Sequence, residues 1–219
     1  LELHHERLAH YFLDGDEEGA LQYIRQLLEE HPRAYLYEDI LTPAMYYIGE
    51  LWERNEISVA DEHLATAICD FVLSKLEQEK KTDKKYRNKK YKALLFGVEE
   101  EHHYIGLKMV AETFKEHGWR VRYLGPNLSL QHALVQIEKY RPDVIGISAA
   151  LSYRLPAIKD LVNHFTMLDW KPFIMIGGRM AGKYDLSQLE SDQSMVIKDL
   201  NHLNQWFKEG RDEAINETS

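Results

Sequence analysis

From Lys92 onward, short apolar runs alternate with amphipathic runs, and this alternation restricts the fold more than any other feature of the 219 residues. The runs "KALLFGV" (92–98), "RVRYLG" (120–125), "DVIGISAAL" (143–151), "FIMIGG" (173–178) and "SMVI" (194–197) read as strands. Between them, 104–117, 129–140, 154–167 and a closing 199–209 carry helical spacing. Strands alternating with helices require right-handed crossovers and hence a parallel sheet of the α/β class. Five strands fit the doubly wound, flavodoxin-like order 2-1-3-4-5, in which ligands collect at the carboxyl ends of strands 1 and 3.

The first part of the chain follows a different period. "GALQYIRQLLEEH" places Leu21, Ile24, Leu27 and Leu28 on one helical face. "YEDILTPAMYYIGELWERN" predicts a second helix, with Pro43 either kinking it or starting it afresh. "SVADEHLATAICDFVLSKLEQE" predicts another, with Ser58 or Asp61 able to cap it. With the opening residues, four or so helices make a four-helix-type bundle. The expected organisation is a helical cap bundle over 1–79, a basic linker over 80–90 and a Rossmann-like domain over 91–219. Residues 80 to 92 hold eight Lys or Arg and read as a solvated linker, with a patch for an anionic partner as the alternative.

Composition narrows the functional classes. A net charge of −9 argues against direct DNA binding by the chain as a whole. One cysteine, Cys69, excludes a disulfide framework and fits a reducing cytoplasm. No apolar run approaches the roughly 20 residues of a membrane span, and no signal peptide is recognisable.

The stretch "VEEEHHYIGLKM" (98–109) follows strand 1, so its side chains sit at the ligand-binding edge. Ser148 closes strand 3 and Gly177-Gly178 closes strand 4. A histidine nitrogen at this rim can bind a metal, and a carboxylate two residues earlier can accept its other N–H. Gly106 leaves room for a bulky ligand near the start of the following helix. Taken singly, these residues have plainer readings: a solvated histidine, acids favouring a helix N-terminus, glycines in a turn.

Their spacing favours the functional reading. Glu101-x-His103-x-x-Gly106 is followed by 41 residues, Ser148-x-Ala150, 26 residues and Gly177-Gly178. This resembles the corrinoid-binding motif D-x-H-x-x-G, S-x-L, G-G of cobalamin-dependent methionine synthase, the mutases and the methyl carriers. Glu101 stands for the Asp, and Ala150 for the Leu, with Leu151 beside it. The resemblance implies a cobalamin whose dimethylbenzimidazole tail leaves the cobalt and inserts beside strand 1, between Ser148 and the Gly177-Gly178 turn. It implies His103 as the lower axial cobalt ligand, oriented by Glu101, and Ser148 as a hydrogen-bond partner of the tail.

In the bundle, Trp52 is followed by nine residues and then Glu62-His63. That spacing is similar to a W-x9-E-H motif in light-sensing, cobalamin-dependent transcription regulators of carotenoid synthesis. There the motif lines the pocket for the adenosyl group. Read alone, Trp52 is a candidate core residue and Glu62-His63 an exposed helix turn. The regulators use a histidine directly after the Trp as a second cobalt ligand, whereas this chain has Glu53. They also carry an upstream DNA-binding domain, so the resemblance implies such a domain outside these 219 residues or a free-standing sensor with a protein partner. The leading expectation is an adenosylcobalamin-dependent light sensor, not itself an enzyme, signalling through homo-oligomer or partner changes. The rival is a corrinoid methyl carrier of a methyltransferase system, using methylcobalamin. A mutase subunit is weaker without a substrate barrel. A dinucleotide-binding protein is weaker still, since no G-x-G-x-x-G follows strand 1.

Overall fold

The computed structural model describes residues 3–80, 90–149 and 155–210. The chain forms two compact units, Leu1–Lys84 and Lys85–Ser219.

The first unit is helical: α1 (His4–Leu13), α2 (Glu17–Glu30), α3 (Arg33–Tyr35), α4 (Thr42–Glu53) and α5 (Val59–Lys80). Its core is built from Leu8 and Phe12 of α1, Ile24 of α2, Ile48 of α4, and Cys69, Val72 and Leu76 of α5. A six-residue π-helical turn, Leu36–Leu41, joins α3 to α4. Of the two alternatives for Pro43, the fresh start holds: α4 begins at Thr42, directly after the π turn, with Pro43 in its first turn. A proline cannot donate to the carbonyl four residues back, and the wider turn just before it absorbs that lost bond and the bulk of the ring.

Helix α5 opens on a reciprocal cap. Ser58 N–H and Ser58 Oγ–H donate to Asp61 Oδ2 at 2.8 and 2.7 Å, and Asp61 N–H donates to Ser58 Oγ at 3.3 Å. Both alternatives for the cap therefore act together, as a capping box.

The second unit is a five-stranded sheet in the order β2-β1-β3-β4-β5, with every ladder parallel. The strands are β1 (Lys92–Val98), β2 (Arg120–Leu128), β3 (Val144–Ser148), β4 (Phe173–Gly177) and β5 (Ser194–Val196). Helices α6 (Ile105–Glu116), α7 (Leu130–Tyr140), α8 (Leu155–Thr166), α9 (Arg179–Lys183) and α10 (Leu200–Lys208) make the connections. All of β3, and β1 beyond its first residue, is buried, which is why these strands read as unbroken apolar runs rather than alternating ones. Leu94, Phe96, Ile145, Ile147, Ile174 and Ile176 pack with Ile137, Ile158 and Phe165. An aromatic cluster of Phe114, Trp119, Trp206 and Phe207 packs α6 and α10 together, with ring centroids 4.9 to 6.3 Å apart.

Two features go beyond the sequence expectation. Strand β2 continues three residues past Gly125, through register shifts against β1 on either side of Phe96. The short α9 and a 3-10 turn, Ser187–Leu189, fill the connection from β4 to β5. Among the described residues, no helix is long and apolar enough to cross a membrane.

The capping box gives a testable expectation. Ser58→Ala should lower the stability of the helical unit by about 1 kcal/mol, read by thermal unfolding near neutral pH. The bonds from Ser58 hold the Asp61 carboxyl below its ordinary range. A depressed folded-state pKa contributes stability above the unfolded value and loses it as pH falls through the folded one. The gap between Ser58→Ala and wild type should therefore narrow on acidification below the ordinary carboxylate range.

Candidate functional site

Parallel register brings the carboxyl ends of the central strands level. Gly97 of β1 lies opposite Ser148 of β3, and Ser148 lies opposite Gly177 of β4. Two of the rim residues singled out in the sequence are thus neighbours on one edge, with Gly97 beside them.

Beyond Val98 the chain turns sharply. Glu101 N–H donates to the Val98 carbonyl at 2.9 Å, and Glu100 adopts a left-handed φ of 63°. This folds the Glu101 side chain back into the protein, where it is 1% exposed. Its Oε1 accepts the His103 backbone N–H at 2.7 Å and lies 2.7 Å from His103 Nδ1. The ionised carboxylate is only an acceptor, so Nδ1 carries the proton and the Nε2 lone pair remains for a ligand or metal. The His103 side chain is 56% exposed. A buried acid therefore holds an outward-facing base in one tautomer.

Glycines shape the space around this pair. A Cβ on Gly97 would lie 3.2 Å from Pro126 Cα, a tight approach to the β2 backbone, and 3.5 Å from Glu101 Cγ, an ordinary contact. Gly106, in the first turn of α6, has no atom within 4 Å of where its Cβ would stand. Gly178 has a φ of 96°, and a Cβ there would come within 2.3 Å of the Ala149 carbonyl oxygen. That same carbonyl accepts Met180 N–H at 3.3 Å, while Ala149 N–H donates to Gly177 at 3.1 Å. The ends of β3 and β4 are thereby laced together. Ser148 is buried at this junction. Ala150 and Leu151 lie outside the described residues.

In the helical unit, Trp52 sits in the last turn of α4, while Glu62 and His63 lie early in α5, beyond a short turn. The three share one end of the bundle. Trp52 is 48% exposed, so it is not part of the core. Glu62 Oε1 accepts the Thr66 hydroxyl at 3.0 Å, and Glu62 Oε2 lies 3.7 Å from His63 Nε2. The His63 side chain is exposed. Glu53, next to Trp52, is exposed as well.

Two residues that sequence reasoning passed over belong to the sheet site. One is Gly97, whose role depends on a close approach of Pro126 that no spacing pattern records. The other is Asn127, whose side-chain Oδ1 accepts Glu100 N–H at 2.8 Å. The cluster Gly125-Pro126-Asn127 is a turn signal that could have drawn notice to it. Among the described residues, no three His, Cys, Asp or Glu side chains converge on a metal position, so His103 is a single donor here. One imidazole donor, glycine-cleared space and a sheet-edge serine fit a cofactor that brings the metal's other ligands with it.

Comparison with known proteins bears on this fit. The family described as "B12 binding domain" matches residues 4–77 in one form and residues 91–192 in another. The HTH-type transcriptional repressor CarH of Myxococcus xanthus is 26% identical over 148 residues, covering 68% of this chain and 48% of the repressor. This chain thus spans about half the length of that relative. A corrinoid protein of Desulfitobacterium hafniense strain Y51 is 23% identical over 161 residues, covering 73% of this chain and 74% of the other. The monomethylamine corrinoid protein of Methanosarcina barkeri superposes with a TM-score of 0.73 at 16% identity, covering 93% of this chain and 97% of that one. This last likeness is one of fold.

Two glycine substitutions should separate backbone need from ligand space. Gly178→Ala places a Cβ against the Ala149 carbonyl at a φ that L-residues rarely adopt. It should destabilise the cofactor-free protein by roughly 1–3 kcal/mol or more in thermal unfolding. Gly106→Ala meets open space on a helix and should leave the cofactor-free protein as stable or up to about 1 kcal/mol more stable. Ligand binding should nonetheless weaken in Gly106→Ala, as measured by absorption titration.

Proposed function

We infer, from the premise that this chain belongs to the B12 binding domain family and binds cobalamin, that it is a sensory module reading adenosylcobalamin and light. In this reading His103 would supply Nε2 to the cobalt as the lower axial ligand, and Glu101, by accepting the Nδ1–H, would orient the ring and make that nitrogen a better donor. Ser148, Gly177 and Gly178 would bound the space beside β1 for the nucleotide tail; Ala150 and Leu151, the other positions of the motif, lie outside the described residues. Gly106 leaves the first turn of α6 clear. When bound, the cofactor supplies a cobalt–carbon bond that light can break. The chain's own residues hold the cofactor, exclude water and pass on a change of occupancy.

The observation that carries the sensory reading is the exposure of Trp52 at 48%, at the bundle end that also holds Glu62 and His63. Covering a large indole is worth on the order of 1.5–3 kcal/mol, so a bulky ring system laid on it gains free energy. A flat apolar face beside a carboxylate and an imidazole matches a nucleoside, which has an aromatic base and a polar sugar, better than a methyl group. A change in whether Trp52 is covered would alter what the bundle end can bind. The output is then a change in self-association or in a partner, with DNA contact left to another segment or another chain. CarH, a transcriptional repressor by name, aligns over most of this chain and supports this reading.

The second reading is a corrinoid methyl carrier serving a methyltransferase, with methylcobalamin as the bound form. It is favoured by the near-complete coverage of the monomethylamine corrinoid protein, 97% of that chain. The two readings share the His103 site and differ at Trp52.

Protein loaded with adenosylcobalamin should show an absorption spectrum that changes on illumination, together with a new elution volume in size exclusion. Hydroxocobalamin-loaded protein should respond in neither. A light-stable elution volume, with methyl transfer to a thiol acceptor, would establish the carrier instead. In the cobalt(II) form, electron paramagnetic resonance should show coupling to one protein nitrogen, lost in His103→Ala along with much of the affinity.

Trp52→Ala should weaken adenosylcobalamin more than hydroxocobalamin, by roughly fivefold or more for lost stacking of about 1 kcal/mol. Equal loss for both forms would remove the basis for an adenosyl pocket.

A further inference from the structure

The His103 ligand sits on a turn that the sheet's outermost strand grips from the side. Strand β2 has nine residues against the seven of β1, because the β1–β2 register shifts twice before Val98 pairs with Leu128. Gly125, at φ 80°, and Asn127, at φ 56°, carry this extension through left-handed backbone. Asn127 thereby comes to rest against the Glu100–Glu101 turn. Its side-chain Oδ1 accepts Glu100 N–H at 2.8 Å, and its backbone N–H donates to the Glu101 carbonyl at 2.9 Å. One residue thus satisfies two backbone groups of the turn, one on each side of the Glu100–Glu101 peptide.

We propose that Asn127 is a positioning residue for the cobalt ligand: its two-point clamp on Glu100 and Glu101 fixes the carboxylate that orients His103. Glu100 stands at a φ of 63°, a conformation that residues other than glycine rarely adopt. The turn holds this geometry because neighbouring groups determine it, and the Asn127 side chain is the acceptor for the Glu100 N–H. Loss of that acceptor leaves the turn with fewer bonds and loosens the hold on the Glu101 side chain, which contacts His103 at both its backbone and its ring. Asparagine suits the position twice over. It tolerates the left-handed backbone, and its amide oxygen reaches an N–H across the strand gap. The clamp exists before any ligand arrives, so binding requires less ordering of the loop.

The proposal rests on His103 as ligand, but its test has an arm that does not. In the cofactor-free wild type, hydrogen exchange should show the Glu100 and Asn127 amides protected, and the His103 ring nitrogen shifts should report a single Nδ1-protonated tautomer. Asn127→Gly keeps the backbone freedom and the N–H but removes the side-chain acceptor. It should exchange Glu100 N–H freely, mix the His103 tautomers, and bind cobalamin roughly fivefold more weakly, the worth of one hydrogen bond. Asn127→Asp retains an acceptor oxygen and should restore both the protection and most of the affinity. Fast exchange of Glu100 N–H in the wild type overturns the clamp, whether or not Asn127→Gly folds. So does an Asn127→Gly protein with wild-type affinity and unchanged His103 ring shifts. Unchanged binding in His103→Ala, with the clamp intact, would instead overturn the ligand assignment and leave the geometry standing.

Discussion

The carboxylate of Glu101, packed under the rim of a parallel sheet with almost no contact with water, is the constraint on which the site depends. A carboxylate in such a place needs donors for its oxygens, and the chain supplies a backbone N–H and an imidazole from the same residue, His103. The bond that satisfies the acid also sets the tautomer of the base. Gly97 lets the backbone of β2 at Pro126 come close beside the Glu101 stem, where a Cβ would stand 3.2 Å from Pro126 Cα. The left-handed turn at Glu100 aims the acid inward, and the extended β2 holds that turn from the side. Buried acid, exposed base and absent side chain form one mechanical unit.

Parallel register extends that unit across the sheet. Because strands β1, β3 and β4 end level, Gly97, Ser148 and Gly177 form a row, and their spacing along the chain reflects the length of each crossover. The glycines of the motif answer different demands. Gly178 is required by backbone conformation and by the Ala149 carbonyl above it, whereas Gly106 borders empty space. The first belongs to the scaffold and the second to whatever the scaffold receives.

The helical unit contributes by leaving an aromatic uncovered. Its interior is filled by aliphatic side chains with Phe12, Tyr23 and Tyr37, and Trp52 remains half-exposed outside that packing, at the bundle end that also holds Glu62 and His63. An uncovered indole in a well-packed bundle carries a standing cost of apolar hydration, which a bound ring system removes.

The alternation of apolar and amphipathic runs was enough to read the sheet, its strand order and its ligand edge, because a buried parallel sheet requires continuous apolar strands joined by helices. The spacing of Glu101, His103, Gly106, Ser148 and Gly177-Gly178 was legible for the same reason: crossover length is written directly in residue counts. Ser58 and Asp61 could be read as caps, though not as one reciprocal box. Other features had no linear signature. Pro43 is carried by a π turn whose width depends on packing around it, and α9 is a single turn too short to show a period. Trp52 reads equally well as core or surface, since period alone does not say which face a neighbouring helix covers. Gly97 and Asn127 act through contacts with Pro126 and Glu100 that join residues twenty-nine and twenty-seven positions apart, across a bulged ladder. The sequence by itself determined which chemical groups this protein brings to the edge of its sheet. Only the tertiary structure decided which of them is buried, which faces outward and what holds it there, because burial and hydrogen bonding are set by neighbours in space, not by neighbours along the chain.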